Sequence, residues 1–210
     1  MMTQDKDTNS HYFTGAPSGD SQRHRFSIPG PHGDLIFDGS SGVFSQHGLD
    51  KGTAVLLDTM RKRGVRAPEP GTALCDVGCG SGVIAVTLAS MFPQCTVYAV
   101  DVNERARQLC ADNARLNGLA NVRVCAPDEV DPALRFALVW SNPPIRIGKQ
   151  ALHELLTTWL GRLDSDGSAH LVVNKNLGAD SLQQWMESNH YDVQRLASSN
   201  GFRVFEVNHA

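Results

Sequence analysis

The stretch Leu74-Cys75-Asp76-Val77-Gly78-Cys79-Gly80-Ser81-Gly82 decides the fold of this chain. Apolar residues lead into an acid, three glycines follow at alternate positions, and the run from Val83 to Ala89 then has helical spacing. This order predicts a strand, a tight turn and the start of a helix. Glycine lets the backbone approach a ligand closely, and the free N–H groups of a helix start suit an anion such as a carboxylate.

The spacing and the charge of this turn indicate its ligand. A dinucleotide fingerprint spaces its glycines G-x-G-x-x-G, whereas here they run G-x-G-x-G and Val83 stands in the last position. Asp76 would repel a pyrophosphate, but it suits a ligand that carries ammonium and sulfonium charges. S-adenosylmethionine carries both charges, together with a carboxylate for the helix start. An NAD-binding oxidoreductase is therefore disfavoured, and a close-packed turn without a ligand is the plain alternative.

Length and composition limit the kind of protein that the chain can be. Its 210 residues suit one α/β domain with an N-terminal addition. Since no apolar run approaches the ~20 residues that span a bilayer, and the N-terminus lacks an apolar signal core, we expect a cytoplasmic protein without membrane contact. The five cysteines lack CxxC spacing and the eight histidines lack HxH or HExxH patterns. We therefore expect buried, reduced thiols and no metal.

Strands and helices alternate along most of the chain, which predicts an α/β fold with a doubly wound, mostly parallel seven-stranded sheet. The last two strands lack an intervening helix, so they should form an antiparallel hairpin. A small N-terminal β-hairpin is also expected. The predicted helices are 53–62, a helix from Val83, Glu104–Leu116, Lys149–Leu160 and Ser181–Ser188; the predicted strands are 25–28, 34–37, one ending at Val77, 96–101, 122–125, 136–140, 170–174, 193–197 and 202–207.

Two acids follow predicted strands at the edge where a ligand should bind. Asp101 ends the strand after the glycine turn, and in doubly wound sheets an acid about 20 residues beyond the glycines accepts the ribose hydroxyls. A solvated acid, or an N-cap for the helix at Glu104, is the alternative. Asp128 follows the next strand and is expected to bind the adenine amino group, unless it is a plain turn residue.

The most informative motif is Ser141-Asn142-Pro143-Pro144-Ile145-Arg146, at the end of a predicted strand. Two consecutive prolines remove two donors and stiffen the chain. The segment therefore offers acceptors, namely the Asn142 side-chain oxygen and the carbonyls near Pro143. A planar exocyclic amine needs such acceptors, because holding its hydrogens aims the nitrogen lone pair at a sulfonium methyl group. We expect positioning, without a strong base, to supply most of the rate; a simple strand-terminating turn is the alternative.

The glycine turn resembles motif I of class I methyltransferases, and the chain from His11 onward resembles the "methyltransferase small" family. The best-known members of that family are 16S ribosomal RNA guanine-N2 methyltransferases. The resemblance implies a Rossmann-like methyltransferase domain over 49–210, after a disordered tail at 1–10 and an extension at 11–48. It is carried by His11-Tyr12-Phe13, Gly42-Val43-Phe44-Ser45, Leu49-Asp50-Lys51-Gly52-Thr53, 76–84, Asp101-Val102-Asn103, Asn113, Asn117, 142–146, Gly148-Lys149 and Gly201-Phe202-Arg203-Val204.

The resemblance also implies roles for individual residues. Phe44 and Thr53 would close over the methionine end of S-adenosylmethionine, and Asn142-Pro143-Pro144 would be the catalytic motif that binds the target amine. The implied cofactor-binding set is Phe44, Thr53, Asp76, Gly78, Gly80, Gly82, Asp101, Val102, Asp128 and Asn142. The implied activity is methylation of the exocyclic N2 amine of a guanine in small-subunit ribosomal RNA.

Two departures from the family pattern bear on the substrate. Members that act on adenine or glutamine usually have an aromatic residue after Asn-Pro-Pro, whereas this chain has Ile145. Some guanine-N2 members carry a duplicated N-terminal domain, which the 210 residues do not include. The alternatives are an N-methyltransferase for a protein glutamine or a small-molecule amine, and a module that binds S-adenosylmethionine and RNA without turnover.

An RNA enzyme with a net charge of −3 must hold its substrate through a local basic patch. We predict a basic crescent of Arg146, Lys149, Lys175 and Arg203 at the carboxyl ends of the strands, where the base must enter. The alternative is that these are ordinary solvated charges, or that Arg203 pairs with an acid at the core edge. The competing cluster at 61–63 ends a helix, where cations are favoured without RNA.

Overall fold

The computed structural model describes residues 24–39 and 48–210. Its strands are β1 His24–Gly30, β2 Gly33–Gly39, β3 Ala73–Val77, β4 Thr96–Val100, β5 Val122–Cys125, β6 Phe136–Ser141, β7 Leu163–Asn174, β8 Tyr191–Ser199 and β9 Phe202–His209. Its α-helices are α1 Lys51–Arg63, α2 Val83–Met91, α3 Glu104–Leu116, α4 Lys149–Leu160 and α5 Ala179–Ser188. Three short 3-10 turns lie at Pro127–Glu129, Ile145–Ile147 and Lys175–Leu177.

Seven strands form one sheet in the order β5-β4-β3-β6-β7-β9-β8. Strands β3 to β7 pair in parallel, whereas β9 is antiparallel to both β7 and β8. The predicted doubly wound sheet with a C-terminal antiparallel hairpin is therefore confirmed. Because β3 lies at the point where the strand order reverses, the ends of β3, β4 and β6 meet at the edge where such sheets bind ligands.

The sheet is covered on both faces. One apolar cluster contains Leu152 and Trp159 of α4 with Leu182 of α5. The other contains Leu56 of α1 and Leu88 of α2. Burial on both faces explains why the strands have near-continuous apolar runs instead of strict alternation.

Strand β7 is longer than the sequence predicts, because it begins at Leu163 instead of His170. Its first half includes Asp164, Ser165 and Asp166, which are exposed, and the β6–β7 register shifts between Phe136 and Leu138. These exposed polar residues, next to the irregular register, do not alternate with apolar residues as strand residues usually do. The sequence signal for a strand is therefore missing there.

The predicted N-terminal hairpin, β1 with β2, forms a separate two-stranded sheet. A buried Phe37 joins Val83 and Val86 of α2 in one small core. Two asparagines of α3 hold the other side: Asn117 exchanges hydrogen bonds with the backbone of Ile36, and Asn113 does the same with Asp38. The hairpin is thus anchored to the helices that flank the glycine turn.

Three further predictions concern the cysteines, membrane helices and metal sites. All five cysteines are buried and free, as predicted. Among the described helices, none combines the length and the apolar character that a bilayer crossing needs. Nor do residues 24–39 and 48–210 contain a group of three or more His, Cys, Asp or Glu side chains arranged for a metal. The predicted tail at 1–10 lies outside those ranges, and the domain boundaries remain predictions.

Candidate functional site

The glycine turn joins β3 to α2 in a backbone conformation that requires its glycines. Gly78, Gly80 and Gly82 all have positive φ, at 75°, 52° and 83°. The backbone N–H of Gly78 donates to the Val100 carbonyl at 2.8 Å, which ties the turn to the end of β4. A Cβ at Gly82 would lie 2.5 Å from the Cys110 Sγ atom of α3. The turn is therefore fixed between two strands and two helices.

Asp101 contacts the turn directly. One carboxylate oxygen accepts a hydrogen bond from the Gly80 N–H at 3.0 Å, and the other accepts from the Asn103 N–H at 2.8 Å. The N-cap of α3 is Asn103, whose side chain accepts from Arg105 N. The alternative in which Asp101 caps this helix is therefore wrong. The carboxylate lies beside the glycines, as its predicted ribose-binding role requires.

Asp76, the acid before the glycines, is 1% exposed. Its Oδ2 atom accepts a hydrogen bond from the Ala85 N–H in the first turn of α2, at 2.9 Å. Burial raises the pKa of this carboxyl to about 8; the Ala85 hydrogen bond lowers it, and the charge of Asp101 raises it further. A ligand cation near Asp76 would favour the ionised form and lower that pKa.

Asn142, at the end of β6, lies against the start of α1. Its Nδ2 atom donates to Asp50 Oδ1 at 2.7 Å and to Thr53 Oγ1 at 3.1 Å. These two contacts occupy the donors of the amide, whereas its side-chain oxygen accepts no hydrogen bond within the described part of the chain. The amide is thus arranged as an acceptor, which is what the predicted binding of an amine needs.

The proline pair brings the amine motif to the glycine turn. A Cβ at Gly78 would project toward Pro144 and lie 3.8 Å from its Cδ atom. The Pro143 carbonyl accepts from the Ile145 N–H at 2.8 Å, so one of its two lone pairs is already used. Ile145 is half-buried and packs against the apolar core beneath α4. The two predicted motifs therefore face each other across a narrow gap.

A small cavity joins the residues that the sequence assigns to cofactor and amine. Its lining combines the turn, the start of α2, the first turn of α1 and the residue after β6: Thr53, Gly78, Cys79, Gly80, Ser81, Val83, Ile84 and Asn142. Gly82 provides α2 with no side-chain cap, so the helix start can accept an external carboxylate. Exposed Gly78, the uncapped helix and the adjacent acids suit S-adenosylmethionine.

Of the remaining predicted cofactor residues, Val102 and Asp128 are not among those that line this cavity. Val102, beside Asp101, is 81% exposed. Asp128 is exposed in the 3-10 turn after β5, and β5 is the strand beside β4 in the sheet. Phe44 lies outside the described residues. The roles of these three residues remain predictions.

Three members of the predicted basic crescent lie on the same rim of the sheet. Arg146 and Lys149 follow β6, Lys175 follows the neighbouring β7, and all three are exposed. Arg203 does not join them: it is 7% exposed in β9 and pairs with Asp180 at the start of α5. Because a central strand covered by a helix buries its side chains, the fourth member of the predicted crescent is corrected to a structural ion pair.

Sequence reasoning missed two residues that contact the site. Asp50 caps α1, accepting from the Thr53 N–H at 3.0 Å, and also holds Asn142. Ser141 donates to the carbonyl of Val77 at 2.6 Å, which ties the end of β6 to the last residue of β3. An N-cap residue before a helix is a recognisable signal, but its contact with Asn142 is not visible in the sequence.

Comparison with known proteins agrees with this geometry. Residues 34–206 match the family model described as the methyltransferase small domain. The uncharacterized protein YbxB of Bacillus subtilis strain 168 is 34% identical over 202 residues, which cover 95% of this chain and 98% of YbxB. Ribosomal RNA small subunit methyltransferase C of Shewanella halifaxensis is 29% identical over 187 residues, covering 86% of this chain and 51% of the relative.

Solved structures with the same fold include the 16S rRNA N2 methyltransferase RsmC of T. thermophilus in complex with AdoMet and guanosine. Its TM-score is 0.70 at 22% identity, covering 94% of this chain and 53% of RsmC. The chain thus spans about half the length of these ribosomal RNA methyltransferases. The family match, the glycine turn and the Asn-Pro-Pro motif lead to one conclusion: the chain belongs to the methyltransferase small domain family and is an S-adenosylmethionine-dependent methyltransferase.

Proposed function

We propose that this enzyme methylates the exocyclic N2 amine of a guanine in small-subunit ribosomal RNA. The observation that carries the proposal is the Asn142 amide: Asp50 and Thr53 hold its nitrogen, and its oxygen accepts no hydrogen bond from residues 24–39 and 48–210. Relatives named as ribosomal RNA small subunit methyltransferases, at about 30% identity, supply the nucleic-acid class. Since small ribosomal subunits are cytoplasmic, we place the reaction there.

The residues of the site bind and orient the two reactants. Asp101 would hold the ribose hydroxyls, the turn at Gly78 and Gly80 would lie against the cofactor, and the start of α2 would receive its carboxylate. When bound, S-adenosylmethionine supplies a sulfonium methyl group and leaves as a neutral thioether, taking the electron pair of the broken C–S bond. The amine nitrogen forms the new N–C bond with its lone pair and then releases one proton to solvent.

Asn142 would accept one hydrogen of the amine. Guanine N2 is conjugated with its ring, so its lone pair is a weak nucleophile unless the amine is turned and held. An acceptor that binds an N–H in this orientation reduces the conjugation between the amine and the ring. It also directs the nitrogen lone pair at the methyl group. No acid or base beyond solvent is required, and positioning supplies the rate.

The basic crescent, now Arg146, Lys149 and Lys175, would hold the RNA backbone beside this site. All three side chains are exposed on the rim where Asn142 and the glycine turn meet. Lys and Arg contacts to phosphate supply most of the non-specific affinity of such proteins. A protein with a net charge of −3 can therefore bind RNA through a local patch on this rim.

Mass spectrometry of ribosomal RNA nucleosides from a deletion strain tests the proposal. We expect N2-methylguanosine to fall by one residue per small subunit, and to be restored by the wild-type gene but not by Asn142→Ala. Unchanged N2-methylguanosine with loss of a methylated glutamine or a small methylated amine would overturn the RNA assignment. Unchanged methylation of every class, with S-adenosylmethionine still bound, would identify a binding module without turnover.

A further inference from the structure

We propose that Asp50 is a positioning residue for the reaction: it fixes the orientation of Asn142 so that the amide oxygen faces the target amine. The inference rests on the proposed function only in taking an amine as the methyl acceptor. Asp50 belongs to none of the predicted functional sets. Its side chain acts on the target amine only through Asn142.

One carboxylate oxygen of Asp50 makes two contacts that join distant parts of the chain. Oδ1 accepts from the Thr53 N–H at 3.0 Å, which caps α1, and from Asn142 Nδ2 at 2.7 Å. The second amide hydrogen of Asn142 is held by Thr53 Oγ1 at 3.1 Å. Asp50 and Asn142 are separated by 92 positions in sequence. The first turn of α1 therefore acts as a cradle for the Asn142 amide.

This cradle permits one orientation of the amide. A flipped Asn142 would point its oxygen at the Asp50 carboxylate, which has no hydrogen to donate when ionised. The flip would cost a charge-assisted hydrogen bond and create a repulsion between two acceptors. In the observed orientation the oxygen remains for the substrate. The site consequently selects a reactant that donates, such as an amine, and rejects one that can only accept.

Close packing holds the cradle against the sheet. A Cβ on Gly52 would lie 2.9 Å from the Phe202 Cε1 atom of β9 and 3.1 Å from Asp50 Oδ1. It would also lie 3.2 Å from Asn142 Nδ2. Glycine at this position therefore lets α1 approach both β9 and Asn142 closely. A larger residue at position 52 would therefore have to displace neighbouring side chains, including Asp50 and Asn142.

The charge of Asp50 adds to its positioning role. During methyl transfer the positive charge moves from the sulfonium to the amine nitrogen before the proton leaves. A carboxylate bonded to Asn142 polarises that amide, which strengthens its oxygen as an acceptor and favours charge on the bound amine. Asp50→Asn keeps a good N-cap for α1, so it separates the charge from the capping.

A double-mutant cycle tests the relay from Asp50 to Asn142. With small subunits from the deletion strain as the methyl acceptor, we expect Asp50→Ala to lower kcat by about tenfold to a hundredfold, with the S-adenosylmethionine Kd changed less than about threefold. Asp50→Asn should lose part of this rate. In an Asn142→Ala background, Asp50→Ala should add almost nothing, because its partner is already gone. Full additivity of the two losses would overturn the proposal.

Asn103→Ala is the matched control for the lost helix cap. Asn103 caps α3 through a side-chain hydrogen bond to Arg105 N, at 3.0 Å, and removing that bond should lower the melting temperature much as Asp50→Ala does. We expect Asn103→Ala to keep its kcat. If both cap variants lose kcat in proportion to their stability, Asp50 acts through folding alone and the proposal fails.

A second measurement needs no substrate. The side-chain amide resonances of Asn142, assigned by their loss in Asn142→Ala, should show two hydrogen-bonded protons in the wild type. In Asp50→Ala we expect one of them to move upfield and to exchange faster with water. Unchanged resonances would overturn the proposal. If the resonances change as expected but the enzyme does not methylate ribosomal RNA, the proposed function is wrong, and the positioning of Asn142 by Asp50 still holds.

Discussion

The cofactor half of the site is built from near neighbours in sequence, whereas the amine half joins distant ones. In the cofactor half, Asp76 contacts Ala85 and Gly80 contacts Asp101, over 9 and 21 positions. In the amine half, Asp50 contacts Asn142 over 92 positions. One βαβ unit supplies the two contacts of the cofactor half, whereas the contact of the amine half requires α1 to pack on the completed sheet. We therefore expect the two halves to fail separately when they are mutated.

The largest expected effect isolates the amine half. Asn142→Ala should lower turnover by roughly 10²-fold or more, because the amine loses its orienting acceptor. The affinity for S-adenosylmethionine, measured by calorimetry, should stay nearly intact. A collapse of that affinity with normal turnover at saturation would show that Asn142 belongs to the cofactor half.

The converse change isolates the cofactor half. Asp101→Ala removes an acceptor for two ribose hydroxyls, and truncating such charge-assisted bonds costs ~1.5–3 kcal/mol each. It also frees the Gly80 N–H that Asp101 holds. We expect S-adenosylmethionine to bind about tenfold to several hundredfold more weakly, with the Asn142 amide resonances unchanged. Unaltered affinity in the calorimeter would remove Asp101 from the ribose site.

A smaller effect concerns the stability of the cofactor half and its dependence on pH. The pKa of Asp76 is about 8 in the folded protein, raised by burial from 3.8. The folded state therefore retains a proton that the unfolded chain releases, and the contribution of Asp76 to stability falls as pH rises between these two values. Asp76→Asn cannot ionise. Its stability relative to the wild type should rise from pH 5 to pH 9, by about 1 kcal/mol or more.

Denaturant unfolding at several pH values measures this difference. A wild-type and an Asp76→Asn curve that stay parallel from pH 5 to pH 9 would contradict the burial argument. Calorimetry on the same variant should show weaker S-adenosylmethionine binding above pH 8, where the wild-type carboxylate is ionised. Asp76 would then strengthen S-adenosylmethionine binding while lowering the free energy of unfolding at high pH.

The smallest expected effect lies on the rim beside the amine half. Arg146→Ala and Lys149→Ala should each weaken RNA binding and flatten its salt dependence, by a slope change of about 0.7–0.9 per lost phosphate contact. Arg61→Ala is the control, since Arg61 pairs with Asp58 at the far end of α1. If the slope falls only in Arg61→Ala, the RNA lies on the other side of the sheet.

The contrast between the two halves also explains which parts of the site can be predicted from the sequence and which cannot. Glycine spacing and an acid after the next strand are local patterns, so the turn and Asp101 could be placed without a structure. The partner of Asn142 could not, because Asp50 is 92 positions away in sequence and meets Asn142 only when α1 packs on the sheet. Periodicity predicts the helices and most strands, but it fails where β7 begins with exposed polar residues.

The misplaced member of the basic crescent has a similar cause. Arg203 lies between Phe202 and Val204 in a strand with neighbours on both sides, opposite Val173 in β7 and Ser198 in β8. A cation inside such an apolar run indicates a buried pair more strongly than a phosphate contact. Its partner Asp180 comes from α5, a helix packed over β8, which only the assembled fold supplies.

The asparagines of α3 have a consequence for association between molecules. A two-stranded ribbon leaves backbone donors and acceptors along its edges, where a strand from a second copy can pair. On β2 those groups at Ile36 and Asp38 are taken by Asn117 and Asn113, one helical turn apart. The side chains of a helix thus stand in for a third strand and close that edge against self-assembly.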